Sequence, residues 1–259
     1  IVLTGINIGY FGSNVIGSNI IGSNGKGESL IDLLKKLEKI EKLLRIRISS
    51  INPDDLNNFE LLDYILNCKK IMPSLHISLQ SGSNKILKSM NRKYFVEDFA
   101  KIAKYLYSKN PNFTITTDVI VGFPSEDEKD FHDTVAFVRK MNFAKVHVFP
   151  FSKREGTKAY SFENHVDDKT KKVRSDMLIK ISDEISNTLK EKFLKFSKNH
   201  QVLVETINSS KGYLEGFIEN YLKVKVYNEN DISRNDIIDI KLEKIENNKL
   251  IGKIISKKS

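Results

Sequence analysis

Apolar positions along this chain follow two periods in turn, and then only one. Residues 1–8 (Ile-Val-Leu-Thr-Gly-Ile-Asn-Ile) read as a buried strand. Ser29 caps a helix running to about residue 44, with Leu30, Leu33, Leu34, Leu37, Ile40 and Leu44 on one stripe. Residues 44–50 alternate with period two and predict a strand, which Asn52-Pro53-Asp54 breaks. A helix over 54–68 and a strand over 75–79 follow. The spacing then predicts a helix over 95–109 closed by Pro111, a strand over 113–121 and a helix over 126–141 capped by Ser125. A strand over 145–150 comes next. Such alternation defines an α/β fold with a parallel sheet or barrel and right-handed crossovers.

After a Lys-rich helix over 167–197 the period is two throughout. Five short segments, beginning at Gln201, Tyr213, Tyr221, Asp236 and Leu250, have no helical stretch between them and predict a small β-barrel. The chain therefore divides into residues 1–197 and 198–259. Residues 11–25 stand apart as a tandem Gly-Ser-Asn unit, read as an expanded loop with no chemistry assigned.

Composition changes this picture little. The net charge of +9 favours polyanionic partners, but it is spread along the 259 residues. One cysteine, Cys68, excludes an internal disulfide framework and fits a reducing, cytoplasmic setting. No apolar run approaches the roughly 20 residues that span a bilayer, so no membrane partner is expected. The chain opens inside a strand without an initiator Met, as a fragment lacking an N-terminal portion would. No His/Cys pair has metal-ligand spacing, and no metal site is assigned. His76 and His147 lie at interior strand positions, where a satisfied core or lumen histidine is the expected role.

The chemistry sits at strand ends. Leu75-His-Ile-Ser-Leu-Gln-Ser-Gly-Ser83, Thr117-Asp-Val-Ile-Val-Gly-Phe-Pro124 and Val146-His-Val-Phe-Pro-Phe-Ser-Lys-Arg-Glu-Gly-Thr157 each run from an apolar stretch into small or polar residues. α/β folds bind ligands at that edge. Taken singly, each residue there is a turn former or strand cap.

Three such motifs in order, with Met90-Asn-Arg-Lys-Tyr94 after the first, resemble the radical-SAM tRNA methylthiotransferases. The wording of 147–154, with Glu219-Asn-Tyr-Leu-Lys-Val224, is closest to the threonylcarbamoyladenosine branch of that family. The isopentenyladenosine and ribosomal-protein branches are its neighbours. The resemblance implies a partial (β/α)6 radical-SAM barrel, strands two to six, followed by a TRAM-type RNA-binding barrel. It also implies methylthio transfer to C2 of a modified adenosine beside the tRNA anticodon.

The cofactors implied are S-adenosyl-L-methionine (SAM) and two [4Fe–4S] clusters. The cluster ligands would lie outside this chain, since one cysteine cannot hold a cluster. The chain alone would then be inactive. No catalytic residue is assigned. On this reading Asn7 lies where family members bind the SAM amino group, Ser49, Gln80 and Ser81 reach its ribose or carboxylate, and Gly122 with Phe123 frames the adenine. Arg92, Lys93, Lys153 and Arg154 follow strand ends where tRNA would enter. Tyr221, Lys223 and Lys225 interleave aromatic and basic groups in the barrel, a pattern suited to RNA. Two other readings stay open: an RNA-binding remnant without catalysis, and an unrelated α/β enzyme with an RNA-binding tail.

Overall fold

The computed structural model describes residues 1–12, 28–57, 59–196, 199–227 and 232–257. The Gly-Ser-Asn repeat and the expected boundary at 197–198 lie outside the described residues, apart from Phe11 and Gly12 at the start of the repeat.

Five strands come from the first unit: β1 (Val2–Leu3), β2 (Arg47–Ile48), β3 (Ser74–His76), β4 (Thr114–Val121) and β5 (Lys145–Pro150). β1 pairs with β2, β3 with β4 and β4 with β5, all in parallel. Parallel bridges Ile46–Ile71 and Ile51–Ile77 join the two groups, so the strands stand side by side in chain order. Helices α1 (Leu30–Glu38), α2 (Phe59–Asn67), α4 (Val96–Lys109) and α5 (Glu128–Lys140) alternate with them. Leu34, Leu62, Phe99 and Phe131 from these helices share one core with Ile48, Ile77, Ile115 and Val119. Only one face of the sheet is sealed by this core. Along β4, Ile115, Thr117, Val119 and Val121 are buried while Thr116, Asp118 and Ile120 face the more open side. Sequential parallel strands with helices on one side are the arrangement of an open part of a β/α barrel.

β6 (Asn199–Asn208), β7 (Tyr213–Phe217), β8 (Lys223–Tyr227), β9 (Ile237–Glu246) and β10 (Lys249–Lys257) close a barrel in the order β10-β8-β7-β6-β9. Strands pack closely at Gly216, where a Cβ would fall 2.1 Å from the Leu203 carbonyl oxygen. The long helix α6 (Asp168–Phe196) ties the two units together. Its Leu178 and Ile181 belong to the first core, and its Phe193 to the barrel core beside Val202, Val224 and Ile240.

Several expected elements differ in extent. The strand over 1–8 shrinks to Val2–Leu3, because the chain turns into a 3-10 segment at Ile8–Tyr10. α1 stops at Glu38 and leaves Ile40 and Leu44 exposed, since 3-10-type turns at Ile40 and Leu43 redirect the chain toward β2. Ser125 does not cap α5. It adopts φ 66°, and Asp127 caps instead, forming a reciprocal box with Asp130. Tyr221 lies in the turn before β8, at φ 61°, not in a strand. A short helix α3 (Asn84–Ser89), capped by Ser83, was not expected.

Candidate functional site

The parallel sheet places the ends of β1 to β5 along one edge. Three polar side chains there have no hydrogen-bond partner among the described residues. The Asn7 Oδ1, just past β1, is buried and unpaired. Ser49 follows β2 and holds Leu3 through its backbone N–H at 2.9 Å, which leaves its hydroxyl unengaged. Gln80 follows β3 at φ 66°, its backbone tied on both sides to β4: its N–H donates to the Asp118 carbonyl at 2.8 Å and its carbonyl accepts from Ile120 at 2.9 Å. A left-handed Gln is a costly conformation that these ladder bonds hold in place. Its amide therefore projects from a fixed backbone.

The other residues expected to meet SAM sit differently. Ser81 is fully buried, and its hydroxyl accepts from the Ser83 N–H at 3.1 Å and meets Thr134 Oγ1 at 3.4 Å. It fixes the turn after β3 rather than facing the sheet edge. Phe123 is buried in an aromatic group with Phe151 and Phe162, ring centroids 5.1 and 6.1 Å away. Gly122, at φ 71°, turns the chain after β4, and its N–H donates to Glu126 Oε1 at 2.8 Å. Arg174 from α6 closes on the same carboxylate at 2.8 Å and on Glu128 at 2.6 Å. Burial pushes the Glu126 carboxyl up from its ordinary value, against the pull of the Gly122 N–H and of Arg174. This buried pair locks the glycine turn to α6.

A second constellation lies on the open face of the sheet. His76 Nδ1 meets Thr116 Oγ1 at 2.9 Å and its Nε2 lies 3.1 Å from Asp118 Oδ2. His147, on β5, is 5.8 Å from His76 between ring centroids. Loss of water contact, above all, lowers the His147 pKa; His76 and Lys145 add to that and Asp118 opposes it. His76 is thus satisfied by Thr116 and Asp118 of β4, as its strand position suggested, whereas His147 is exposed on the same face and has no hydrogen-bond partner among the described residues. A cavity of about 590 Å³ extends from them to Arg47, Ser49 and the turn between β7 and β8. Sequence reasoning passed over Arg47 and Asp118; the polar positions 116 and 118 inside an apolar strand were the available signal.

Among the residues expected to bind RNA, Lys93, Lys153 and Arg154 are exposed, and Lys153 lies 4.7 Å over the Tyr160 ring. Arg92 is half-buried, with its Nε buried and unpaired. In the small barrel Lys225 lies 4.1 Å over Tyr213 and 4.5 Å over Tyr227. Lys223 pairs with Glu215 at 2.6 Å. Tyr221 is drawn away from this surface: it stacks on Phe217 and under Arg47 at the seam with the sheet.

The described residues contain no group of three or more His, Cys, Asp or Glu side chains able to hold a metal ion. Cys68 is buried at the end of α2. A single thiol does not fit an iron–sulfur cluster. Among the described residues no helix is long and apolar enough to cross a membrane.

A family model of the Radical SAM superfamily matches residues 16–138. Threonylcarbamoyladenosine tRNA methylthiotransferase MtaB of Thermotoga maritima is 40% identical over 223 residues, which are 86% of this chain and 48% of that protein. MtaB of Chlamydia pneumoniae is 35% identical over 256 residues, 98% of this chain and 56% of its own length. The tRNA-2-methylthio-N(6)-dimethylallyladenosine synthase of Thermodesulfovibrio yellowstonii is 39% identical over 224 residues, 86% of this chain and 51% of that protein. The chain thus spans about half the length of the curated relatives it matches. The superfamily match takes in β2 to β4 and the strand ends at 75–83 and 117–124, and the fold is that of a radical-SAM domain. Within that superfamily the chain belongs to the tRNA methylthiotransferase family.

Proposed function

We propose that the chain forms the second part of a radical-SAM methylthiotransferase acting on N6-threonylcarbamoyladenosine in tRNA. The observation carrying this reading is the similarity to two MtaB proteins, one of them over 98% of the chain. The isopentenyl branch is the nearest competitor, because a dimethylallyladenosine synthase is similar at 39% identity.

The unpaired Asn7 carboxamide oxygen suits an ammonium donor such as the SAM amino group, and the Ser49 hydroxyl and Gln80 amide suit its carboxylate and ribose. Gly122 would carry the backbone close to the adenine. Ser81 and Phe123 would serve by shaping the loops behind these groups. SAM, when bound, supplies the radical and methyl-transfer chemistry. With one thiol the chain cannot bind the clusters itself, so its own work is to hold SAM and RNA, and it is inactive alone. The exposed Lys93, Lys153 and Arg154, half-buried Arg92, and the TRAM-type barrel with Lys223 and Lys225, would contact tRNA phosphates in the cytoplasm.

The test is deletion of the coding segment for this chain, followed by mass spectrometry of nucleosides from total tRNA. Loss of 2-methylthio-N6-threonylcarbamoyladenosine, with its unthiolated precursor accumulating, is the expected result. Loss of the isopentenyl-derived methylthio nucleoside instead would assign the chain to the other branch. No change in either would refute the reading.

A further inference from the structure

The cavity on the open face of the sheet has a chemical character that the family assignment does not explain. Its wall at β2 is the half-buried Arg47, with its guanidinium carbon 3.1 Å from the Tyr221 ring centroid. No carbonyl or carboxylate among the described residues accepts a hydrogen bond from its guanidinium, although Glu205 attracts it from further off. A guanidinium held flat against an aromatic ring keeps its edge donors available, and their spacing matches a carboxylate.

The opposite wall is basic as well. Lys145 and Lys190 line the cavity with His147. Lys145 is neutralised by Asp183 at 2.8 Å, whereas Lys190 has only neutral oxygens, the Asn187 side chain at 3.1 Å and the Asn248 carbonyl at 2.8 Å. Asp118, the acid facing this space from β4, is engaged by His76. His147 makes no hydrogen bond to any described residue. The site therefore offers cations and N–H donors in excess of acceptors, above a floor made by Phe217, Tyr221 and Leu222. Its volume of about 590 Å³ is in the range of a small-molecule or nucleoside pocket.

Such a lining suits an anionic, hydrogen-bonding group and disfavours a purely aliphatic one, because an aliphatic occupant would further desolvate the half-buried Arg47 and Lys190 donors without pairing them. We propose that this cavity receives the carboxylate-bearing N6 substituent of a threonylcarbamoyl-modified adenosine, with Arg47 and His147 as its specificity-determining residues. The inference rests on the proposed function and goes further by assigning the recognition of its substrate to named side chains.

The experiment titrates the full chain with N6-threonylcarbamoyladenosine, the methyl ester of its threonine carboxylate, and N6-isopentenyladenosine, reading each Kd by calorimetry. The free acid is expected to bind at least tenfold more tightly than either of the others. Arg47→Met and His147→Phe are each expected to reduce that preference to less than threefold. Arg47 also contacts the small barrel, so His147→Phe decides the matter if Arg47→Met fails to melt cooperatively. Equal binding of the three nucleosides, or a preference that survives His147→Phe in folded protein, would overturn the proposal. Binding of an anticodon stem–loop RNA in the same samples separates the two levels. RNA binding without nucleoside preference refutes the subsite and leaves the proposed function standing. Failure to bind both RNA and nucleoside refutes the two together.

Discussion

Arg47 and Tyr221 lie 174 positions apart in sequence, yet the guanidinium of one sits 3.1 Å from the ring centroid of the other. Tyr221 in turn stacks on Phe217, ring centroids 4.1 Å apart and nearly parallel. Beside them Arg45 donates to the Gln201 carbonyl at 2.9 Å, and Asn220 and Thr114 meet at the same seam. The small barrel is thus fastened to the sheet at the starts of β2 and β4, and its β7–β8 turn shares one cavity with Ser49. A basic and aromatic surface on that barrel is held in a fixed relation to the sheet.

Tyr221→Ala removes the stack without changing the demand for a left-handed residue at that turn. A desolvated cation–π contact contributes about 2 kcal/mol. Calorimetry is expected to show either a lowered Tm or the separation of one transition into two. An unchanged single transition would mean that α6 alone holds the units together.

Arg174→Met leaves the Glu126 carboxylate buried without its cation. Breaking a buried pair on one side costs about 3–5 kcal/mol. Urea unfolding is expected to show that loss, and Glu126→Gln combined with Arg174→Met should recover part of it, because Gln can still accept from the Gly122 N–H. Equal stability for the two variants would mean that the carboxylate is not what the arginine serves.

Asp127 carries the clearest pH dependence. Hydrogen bonds from Lys85, first, and then from the Asp130 N–H hold its carboxyl at about 2, against an ordinary 3.8. A folded-state pKa below the unfolded one means the ionised carboxylate stabilises the fold above pH 3.8, and that contribution disappears as pH falls through about 2. Asp127→Ala should flatten the stability profile between pH 4 and pH 2 while lowering the plateau above it. A parallel profile would show that the Lys85 contact has no energetic consequence.

Gln80→Ala is expected to weaken SAM binding tenfold or more while leaving the melting temperature within a few degrees, since the side chain has no partner among the described residues. Ser81→Ala should do the reverse, because its hydroxyl organises the turn. A loss of SAM affinity in Ser81→Ala alone would reverse these two roles.

Periodicity located most elements because burial and repeat length agree there. The apolar positions of α4 and β4 fall on one face each, and both elements appear over nearly the expected residues. The misses share a cause: backbone geometry set by contacts distant in sequence. Ser125 is a good cap by residue type, but Glu126 turning back to the Gly122 N–H forces Ser125 to positive φ and passes the cap to Asp127. Tyr221 fits an alternating strand, yet Arg47 and Phe217 hold it in a turn. Helix α3 spans six residues, too few to show a period. In the candidate site, strand ends were legible from their Gly, Ser and Gln residues. Which of those side chains are already engaged, as in Ser81, depends on Thr134, 53 positions away.

The most direct test of the account is binding of tRNA by the full chain across a salt series. Specific docking through lysines and arginines predicts an affinity that falls steeply and linearly on logarithmic axes, with Lys225→Ala and Lys153→Ala each lowering the slope by about one. Absence of tRNA binding at low salt, or a slope indifferent to both substitutions, would contradict it.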